Sequence, residues 1–243
     1  MDPAPVNSLA ALNIKIFADG ADLETMLRLY SHPAIRGFTT NPTLMRKAGI
    51  AGYEAFAREV LERIPDRPVS FEVFADEFAE MDRQARRIAA WGENVYVKIP
   101  VTNTKGESAA QLACRLAHSG VKVNVTALLT LGQVREMVQA LAGAAAAYIS
   151  IFAGRIADTG RDPAPIVAEA AELIRPHSNI ELIWGSAREL LNIFQADAAG
   201  CDIITVTSDI LSKLPLIGKD LDEFSLDTVK MFHRDARESG FSL

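Results

Sequence analysis

The chain has 243 residues, of which 49% are hydrophobic and 23% are charged, and its formal net charge is −6 at pH 7. This composition is typical of a globular domain long enough to bury a large core. The negative balance argues against nucleic acid or an anionic membrane surface as a partner, because such binders rely on dense positive charge. The N-terminus has no signal-peptide pattern and no run of 18 apolar residues occurs, so we expect a cytoplasmic protein without a membrane span.

Neither the cysteines nor the histidines form a ligand pattern. The two cysteines, Cys114 and Cys201, lie in apolar segments and are expected to be buried thiols. The four histidines are isolated, so no metal site is expected. Two or three local arginines can still hold a small anion such as a phosphate in an acidic protein.

Short runs rich in Val, Ile and Phe alternate with helical patterns along the chain. In chain order, the predicted strands are residues 14–18, 37–39, 69–74, 94–99, 121–125, 145–151, 180–184 and 203–206. Helical patterns separate them: Asp22 caps the first helix, Thr130 and Pro163 open two later ones, and Ser186 opens the helix that ends at Ala199. Residues 222–240 predict one extra helix with an apolar stripe.

Eight strand-helix units predict an α/β fold, with a parallel sheet closed into a (β/α)8 TIM barrel. An open doubly wound sheet is the alternative, yet no glycine-rich dinucleotide motif follows the first strand and no P-loop occurs. We therefore predict a single barrel domain over residues 1–243, with residues 222–240 as an appended helix.

A barrel of this kind has its active site at the carboxyl ends of the strands, and polar residues are concentrated there in this sequence. In strand order they are Asp19, Asn41, Glu72, Lys98, Asn124 with Thr126, Ser150 with Arg155 in the following loop, and Ser186 with Arg188. Each residue type also has ordinary roles at a strand end. The prediction of a site rests on their convergence at one face of the barrel.

Lys98 is the most informative member of this set. Val97 and Ile99 flank it in an apolar strand, so its stem is expected to lie inside the mouth of the barrel. Burial disfavours an ammonium ion, and a neutral amine can attack a ketone to form a Schiff base. The alternative is a structural lysine that pairs with Glu72 or Asp19.

Two carboxylates on different strands, Asp19 and Glu72, are candidates for separate acid and base roles. For Asp19 the alternative is a turn in which its carboxylate binds the following backbone. The amides of Asn41 and Asn124 suit sugar hydroxyls, and Thr126 can hold a water. Asn41 also fits a plain turn former.

The sixth and seventh loops predict a phosphate site. Arg155 and Arg188 follow neighbouring strands, where barrels often bind phosphate, and Ser186 adds a hydroxyl at a predicted helix start. The alternative is surface pairing with nearby carboxylates: Asp158 for Arg155, and Glu189 or Glu181 for Arg188.

Seven segments, in order, carry a resemblance to a known family. They are FADG (17–20), TTNPTL (39–44), FEV (71–73), VKIP (97–100), NVT (124–126), SIFAGR (150–155) and GSAR (185–188). In these segments, and over nearly its whole length, the chain resembles the transaldolases, Schiff-base enzymes on a (β/α)8 barrel. Its length resembles the short subgroup that also contains fructose-6-phosphate aldolase.

The resemblance implies roles for individual residues. It makes Lys98 the Schiff-base lysine and Asp19 the general acid/base, and it makes Glu72 and Thr126 the partners of a catalytic water. The implied ligands of the substrate are Asn41, Asn124 and Ser150 for its hydroxyls, and Arg155, Ser186 and Arg188 for its phosphate. The implied reaction needs no cofactor: it transfers a dihydroxyacetone unit from sedoheptulose 7-phosphate or fructose 6-phosphate to an aldose phosphate, in the pentose phosphate pathway.

The resemblance also implies an assembly. Short members of the family form pentamers or decamers, so a homo-oligomer is expected. The apolar stripe of residues 222–240 fits an intersubunit contact and fits packing within the subunit equally well.

Three alternatives stay open. The first is a lyase of the fructose-6-phosphate aldolase type, which carries glutamine at the position of Glu72 and tyrosine at the position of Phe152. Because Phe152 cannot donate a proton to a bound enamine, phenylalanine at this position favours transfer to a sugar acceptor. The second is a transaldolase for a modified sugar phosphate, because residues 102–105 and 184–185 differ from common forms. The third is a silent barrel that senses a phosphosugar, for which a buried lysine and two carboxylates have no use.

Overall fold

The computed structural model describes residues 9–240, and its contacts divide them into two units, residues 13–212 and residues 9–12 with 213–240. In the first unit, eight parallel strands form one closed barrel in which each strand pairs with the next in the sequence. The strands are β1 (Lys15–Asp19), β2 (Ile35–Thr39), β3 (Val69–Glu72), β4 (Val95–Pro100), β5 (Val123–Leu128), β6 (Ala147–Ile151), β7 (Ile180–Trp184) and β8 (Ile203–Thr207). The predicted (β/α)8 barrel is confirmed.

Helices alternate with these strands and bury one apolar face each. They are α1 (Leu23–Tyr30), α2 (Pro42–Lys47), α3 (Tyr53–Arg63), α4 (Phe78–Ala89), α5 (Ala110–His118), α6 (Leu131–Leu141), α7 (Ala153–Ala157), α8 (Ala164–Ile174), α9 (Leu191–Ala198) and α10 (Ser208–Leu211). On α5 the buried face contains Leu112, Ala113 and Leu116, and Cys114 lies beside it. Cys114 is therefore only half-buried, contrary to prediction, whereas Cys201 is buried as predicted.

Three of the predicted helix starts agree with the structure. The side chain of Asp22 accepts a hydrogen bond from the backbone N–H of Thr25 at 2.8 Å and caps α1. Thr130 and Gln133 form a reciprocal capping box at the start of α6. Pro163 stands at the start of α8, where its fixed φ suits a first helical turn.

The predicted helix start at Ser186 is wrong. Ser186 has a φ of 60°, in the left-handed region that a right-handed helix excludes, and α9 begins only at Leu191. The side-chain oxygen of Asn192 accepts hydrogen bonds from the N–H of Arg188 at 2.8 Å and of Glu189 at 3.1 Å. These bonds satisfy the loop amides without a helix, so Ser186 lies in a bend.

Seven of the eight strands differ from their predicted bounds by one to three residues at an end, and the third and fifth show the physical reason most clearly. The third ends at Glu72 instead of residue 74, because Phe74 has left the sheet and is 66% exposed. The fifth begins at Val123 and extends to Leu128. The register between β5 and β6 shifts between Val125 and Leu128, and Ala127, with a φ of 66°, lies in this stretch. β7 has the bounds that the sequence predicts.

An apolar layer fills the barrel one side-chain level below the strand ends. Phe17, Ile183 and Ile203 are buried there against Tyr148, and the ring of Tyr96 stacks on Tyr148 with centroids 3.9 Å apart. Because side chains alternate along a strand, the residues two positions further on face the same interior from one level higher. The interior positions at the carboxyl ends are polar and lie above this floor.

The second unit contains a 3₁₀ turn (Leu214–Leu216) and helix α11 (Leu221–Glu238), which corresponds to the helix predicted at 222–240. The apolar residues of the predicted stripe, Leu226, Val229 and Phe232, are each more than half exposed. Residues 1–8 and 241–243 of the predicted domain lie outside the described residues. Between residues 9 and 240, no helix is both long and apolar enough to cross a membrane.

Candidate active site

A cavity of about 530 Å³ opens at the carboxyl ends of the strands. Every site residue that the sequence predicts lines it: Asp19, Asn41, Glu72, Lys98, Asn124, Thr126, Ser150, Phe152, Arg155, Ser186 and Arg188. They come from seven consecutive strands and the loops that follow them. The barrel therefore collects residues spread over 170 positions of sequence into one concave site.

Lys98 lies at the base of the cavity. It faces inward from β4 between Val97 and Ile99, which are fully buried, and is itself 6% exposed. Its Nζ donates a hydrogen bond to the carbonyl oxygen of Thr40 at 2.8 Å and lies 3.2 Å from Oε2 of Glu72, its neighbour in strand register. The predicted ion pair with Glu72 is thus present, and the amine also borders the cavity.

The carboxylate of Asp19 forms its hydrogen bonds with side chains on and just after the neighbouring strand β2, and not with its own turn. Its Oδ1 accepts from the hydroxyl of Thr39 at 2.8 Å, and Nδ2 of Asn41 lies 3.5 Å from its Oδ2. Burial raises the pKa of Asp19 above its ordinary value, and the negative charge of Glu72 raises it further. The charge of Lys98 and the hydrogen bond from Thr39 lower this pKa in part. A carboxyl with a raised pKa suits an acid/base role.

Two amides are fixed in orientation by their partners. Nδ2 of Asn124 donates to the hydroxyl of Ser70 at 3.1 Å, and its Oδ1 accepts from Ser150 at 2.7 Å. Asn41 caps α2, its Oδ1 accepting from the N–H of Leu44 at 2.9 Å. The turn-former role of Asn41 is therefore real, and it leaves the amide nitrogen directed toward Asp19.

The hydroxyl of Thr126 is buried and has no hydrogen-bond partner in the part of the chain that the structure describes. A buried polar group without a partner costs free energy, and such groups normally bind water or a ligand. Because Thr126 lines the cavity beside the Lys98 strand, a water or a substrate atom is the natural partner.

The two arginines differ from the surface pairs that the sequence suggests. Arg188 pairs with Asp158, its Nε lying 3.2 Å from Oδ1, instead of with Glu189 or Glu181. Arg155 is exposed at the start of the sixth loop, and residues 9–240 contain no ion pair that includes it. Arg155 is thus available to an anion in the cavity.

A close backbone contact joins the sixth and seventh loops. A Cβ atom placed on Gly154 would lie 1.7 Å from the carbonyl oxygen of Ser186, and the N–H of Gly154 donates to the carbonyl of Gly185 at 3.3 Å. Only glycine permits this approach. The contact places Arg155, Ser186 and Arg188 on one rim.

Seven lining residues were not among the predicted site residues: Thr39, Pro42, Thr43, Leu44, Lys47, Gly185 and Thr205. Thr39 lies two positions before Asn41 on the same face, and Lys47 lies one helical turn after Thr43, so strand and helix periodicity were available signals. Thr205 lies in an apolar strand whose sequence gave no signal of a site residue. Conversely, neither Trp184 nor residues 102–105 line the cavity, although the sequence suggested that they border it.

The charges that line the cavity are mostly positive. Four basic side chains, Lys47, Lys98, Arg155 and Arg188, face two acidic ones, Asp19 and Glu72. This local excess contrasts with the net charge of −6 of the chain. Across residues 9–240, no cluster of three or more His, Cys, Asp or Glu is arranged to hold a metal ion.

Comparisons with known proteins agree on the family. The model of the transaldolase/fructose-6-phosphate aldolase family matches residues 16–243. A relative from Dehalococcoides mccartyi named "Probable transaldolase" is 33% identical over 88% of this chain and 97% of its own length, and one of the same name from Methanococcus maripaludis is 34% identical over the same shares.

A likeness among solved structures concerns the fold alone. A dihydrodipicolinate synthase from Rhodopseudomonas palustris has a TM-score of 0.57 and 16% identity, over 96% of this chain and 82% of that one. The family match covers every residue of the cavity and every strand of the barrel except Lys15 at the start of β1. The chain belongs to the transaldolase/fructose-6-phosphate aldolase family.

Proposed function

We propose that this protein is a transaldolase that moves a dihydroxyacetone unit from a ketose phosphate to an aldose phosphate through a Schiff base on Lys98. One observation carries the proposal: the buried amine of Lys98 touches Glu72 and borders a cavity that also contains Asp19 and a positively charged rim. A sensor of phosphosugars needs the rim but not the lysine with two carboxylates.

The first step is imine formation. Lys98 passes a proton to the carboxylate of Glu72, its amine then attacks the C2 carbonyl of the ketose, and the resulting carbinolamine loses water to give the iminium ion. Glu72, 3.2 Å from the amine, exchanges protons with that water, and the unpartnered hydroxyl of Thr126 holds it.

The second step is cleavage of a carbon-carbon bond. Asp19 takes the proton of the C4 hydroxyl, the C3–C4 bond breaks, and its electron pair moves into the iminium ion to give an enamine while the aldose phosphate leaves. The acceptor aldehyde then reacts with the enamine in reverse, and Asp19 returns the proton to the new hydroxyl. Water finally hydrolyses the imine and restores Lys98.

Substrate binding divides the cavity into two ends. The fixed amides of Asn41 and Asn124 and the hydroxyl of Ser150 suit the hydroxyls of the three-carbon unit. Arg155, Ser186 and Arg188 suit a phosphate dianion at the rim, since guanidinium groups bind phosphate with paired, charge-assisted hydrogen bonds. Lys47 adds a further positive charge to the same cavity.

The cavity favours transfer over release of free dihydroxyacetone. Release requires protonation of the enamine carbon, and the side chain at position 152 is a phenylalanine that lines the cavity without a proton to donate. The enamine therefore persists until an acceptor aldehyde binds. The lack of a proton donor at position 152 separates a transaldolase from a fructose-6-phosphate aldolase.

A product assay tests the proposal. Fructose 6-phosphate is supplied alone and with erythrose 4-phosphate, with Lys98→Met as the matched inactive protein. Sedoheptulose 7-phosphate that forms only with the acceptor supports transfer. Free dihydroxyacetone in the absence of acceptor would make the protein an aldolase, and no conversion of either kind would refute activity on unmodified sugars.

A further inference from the structure

Two threonine hydroxyls stand behind the carboxyl of Asp19, and the reaction proposed above gives neither of them a role. Thr39 lies opposite Asp19 in the register of β1 with β2, and Thr205 lies on β8, the other neighbour of β1. The hydroxyl of Thr39 is 2.8 Å from Oδ1 of Asp19 and is also hydrogen-bonded to the hydroxyl of Thr205. The three groups form one continuous hydrogen-bonded row, in which Thr39 is 3% exposed.

The number of hydrogens in this row dictates its direction. An ionised carboxylate only accepts hydrogen bonds, and a hydroxyl has a single hydrogen. With Asp19 ionised, Thr39 therefore donates to Asp19, and Thr205 must donate to Thr39. With Asp19 protonated on Oδ1, the same atoms form the reverse row: Asp19 donates to Thr39, and Thr39 donates to Thr205. Gain of one proton by Asp19, together with rotation of the two hydroxyls, converts the first row into the second.

A transaldolase passes through both protonation states of Asp19. Between the two half-reactions Asp19 holds the proton that it took from the substrate hydroxyl, and it later returns that same proton to the acceptor oxygen. We propose that Thr39 and Thr205 are positioning residues that keep Asp19 hydrogen-bonded in both of its protonation states, the row reversing as the proton is taken up and returned. This inference rests on the transaldolase chemistry proposed above.

Other charged groups around Asp19 do not replace the row. Lys98 on β4 and Glu72 on β3 face it across the cavity, Lys47 on α2 lines the same cavity, and Asp22 and Asp209 line the adjoining groove. Burial raises the pKa of Asp19, and the bond from Thr39 is one of two contacts that lower it. Removal of that hydroxyl should therefore raise the pKa further, and Asp19 would become a competent base only at higher pH.

The test combines four variants with two measurements. Thr39→Val, Thr205→Val and the double variant remove hydroxyls at nearly constant volume, and Thr39→Ser retains one. One measurement is the acidic limb of the pH profile of kcat/KM. The other is the titration of the Asp19 carboxyl by ¹³C NMR without substrate, its signal identified by its loss in Asp19→Asn.

A matched control comes from the same strand. Thr207→Val removes a hydroxyl from β8 at the position that pairs with Asp19 in register, yet no hydrogen bond joins Thr207 to Asp19 among the described residues. Both measurements should be unchanged in this variant.

The expected result is a shift that is not additive. Thr39→Val should move both titrations upward by about one to two pH units, the size expected for a lost hydrogen bond to a charged group. Thr205→Val should give a smaller shift in the same direction, and the double variant should match Thr39→Val, because Thr205 acts only through Thr39. Thr39→Ser should restore the profile.

Additive shifts, or an unmoved carboxyl titration in Thr39→Val, would overturn the proposal. If Thr39→Val does not fold, the Thr205→Val titration decides, and an unshifted carboxyl there refutes the row. The NMR titration needs no turnover. If the variants show these shifts but the wild-type protein transfers no dihydroxyacetone, the proposed function is refuted and the hydrogen-bonded row stands.

Discussion

Substitution of Gly154 by alanine is expected to damage phosphate binding selectively. Helix propensity alone predicts a gain of up to about 1 kcal/mol for Gly→Ala inside a helix such as α7. The structure predicts the reverse: the carbonyl oxygen of Ser186 must retreat from 1.7 Å to at least 3.0 Å from the new Cβ, a displacement of at least 1.3 Å along the contact. Misplacement of a binding group by about 1 Å costs roughly 10²-fold in rate.

The magnitude follows from the contacts on this rim. A displacement of Ser186 and Arg188 would weaken the two hydrogen bonds that we propose they donate to the phosphate, each worth about 1.5–3 kcal/mol when a charge is involved. We expect kcat/KM for fructose 6-phosphate to fall roughly 10²-fold, mostly through KM. The kcat/KM for unphosphorylated fructose should change little, because Lys98 and Asp19 are untouched.

Steady-state kinetics with both sugars and urea denaturation measure the effect. The matched control is Gly132→Ala on α6, where the nearest atom to a new Cβ is 3.8 Å away and a gain of about 0.5–1 kcal/mol is expected. The free energy of unfolding of Gly154→Ala should instead fall by about 1–3 kcal/mol through overpacking. Equal losses of kcat/KM with both sugars would contradict this prediction. A stabilised Gly154→Ala variant with an unchanged KM would contradict it as well.

Three further predictions concern the reacting groups. Lys98→Met should abolish transfer, measured by product formation, while circular dichroism shows a folded barrel. Normal turnover in this variant would refute the Schiff-base mechanism. Asp19→Asn should slow bond cleavage by about 10²–10⁴-fold in single-turnover kinetics. Burial raises the pKa of Asp19 in the folded state, so the contribution of Asp19 to the free energy of unfolding should fall as pH rises above about 3.8. In urea titrations, Asp19→Asn should lack this pH-dependent contribution. Phe152→Tyr should increase free dihydroxyacetone formed from fructose 6-phosphate alone, and an unchanged product ratio would contradict the proton-donor argument.

The barrel and most of the polar residues that line the cavity were predictable from the sequence. Strand alternation fixes which face each residue takes, so the strand ends that carry Asp19, Glu72 and Lys98 converge once eight parallel strands close. The short apolar runs and the turn residues between them are local signals, and they locate β7 to the residue.

Features that depend on long-range contact were not predictable. The left-handed backbone of Ser186 arises where its carbonyl meets Gly154, 32 positions earlier in the chain, and no local pattern distinguishes that bend from a helix start. The pairing of Arg188 with Asp158 and the row from Asp19 through Thr39 to Thr205 depend on distances between strands. Such contacts exist only after the barrel has closed.

Borohydride trapping would show whether Lys98 forms a Schiff base. The protein is incubated with fructose 6-phosphate, reduced with borohydride, digested and mapped by mass spectrometry. A stable adduct is expected on the peptide that contains Lys98, and no adduct is expected in Lys98→Met. Product formation without any trapped adduct, or an adduct on Lys47 in the same cavity instead of Lys98, would contradict a Schiff base at this lysine.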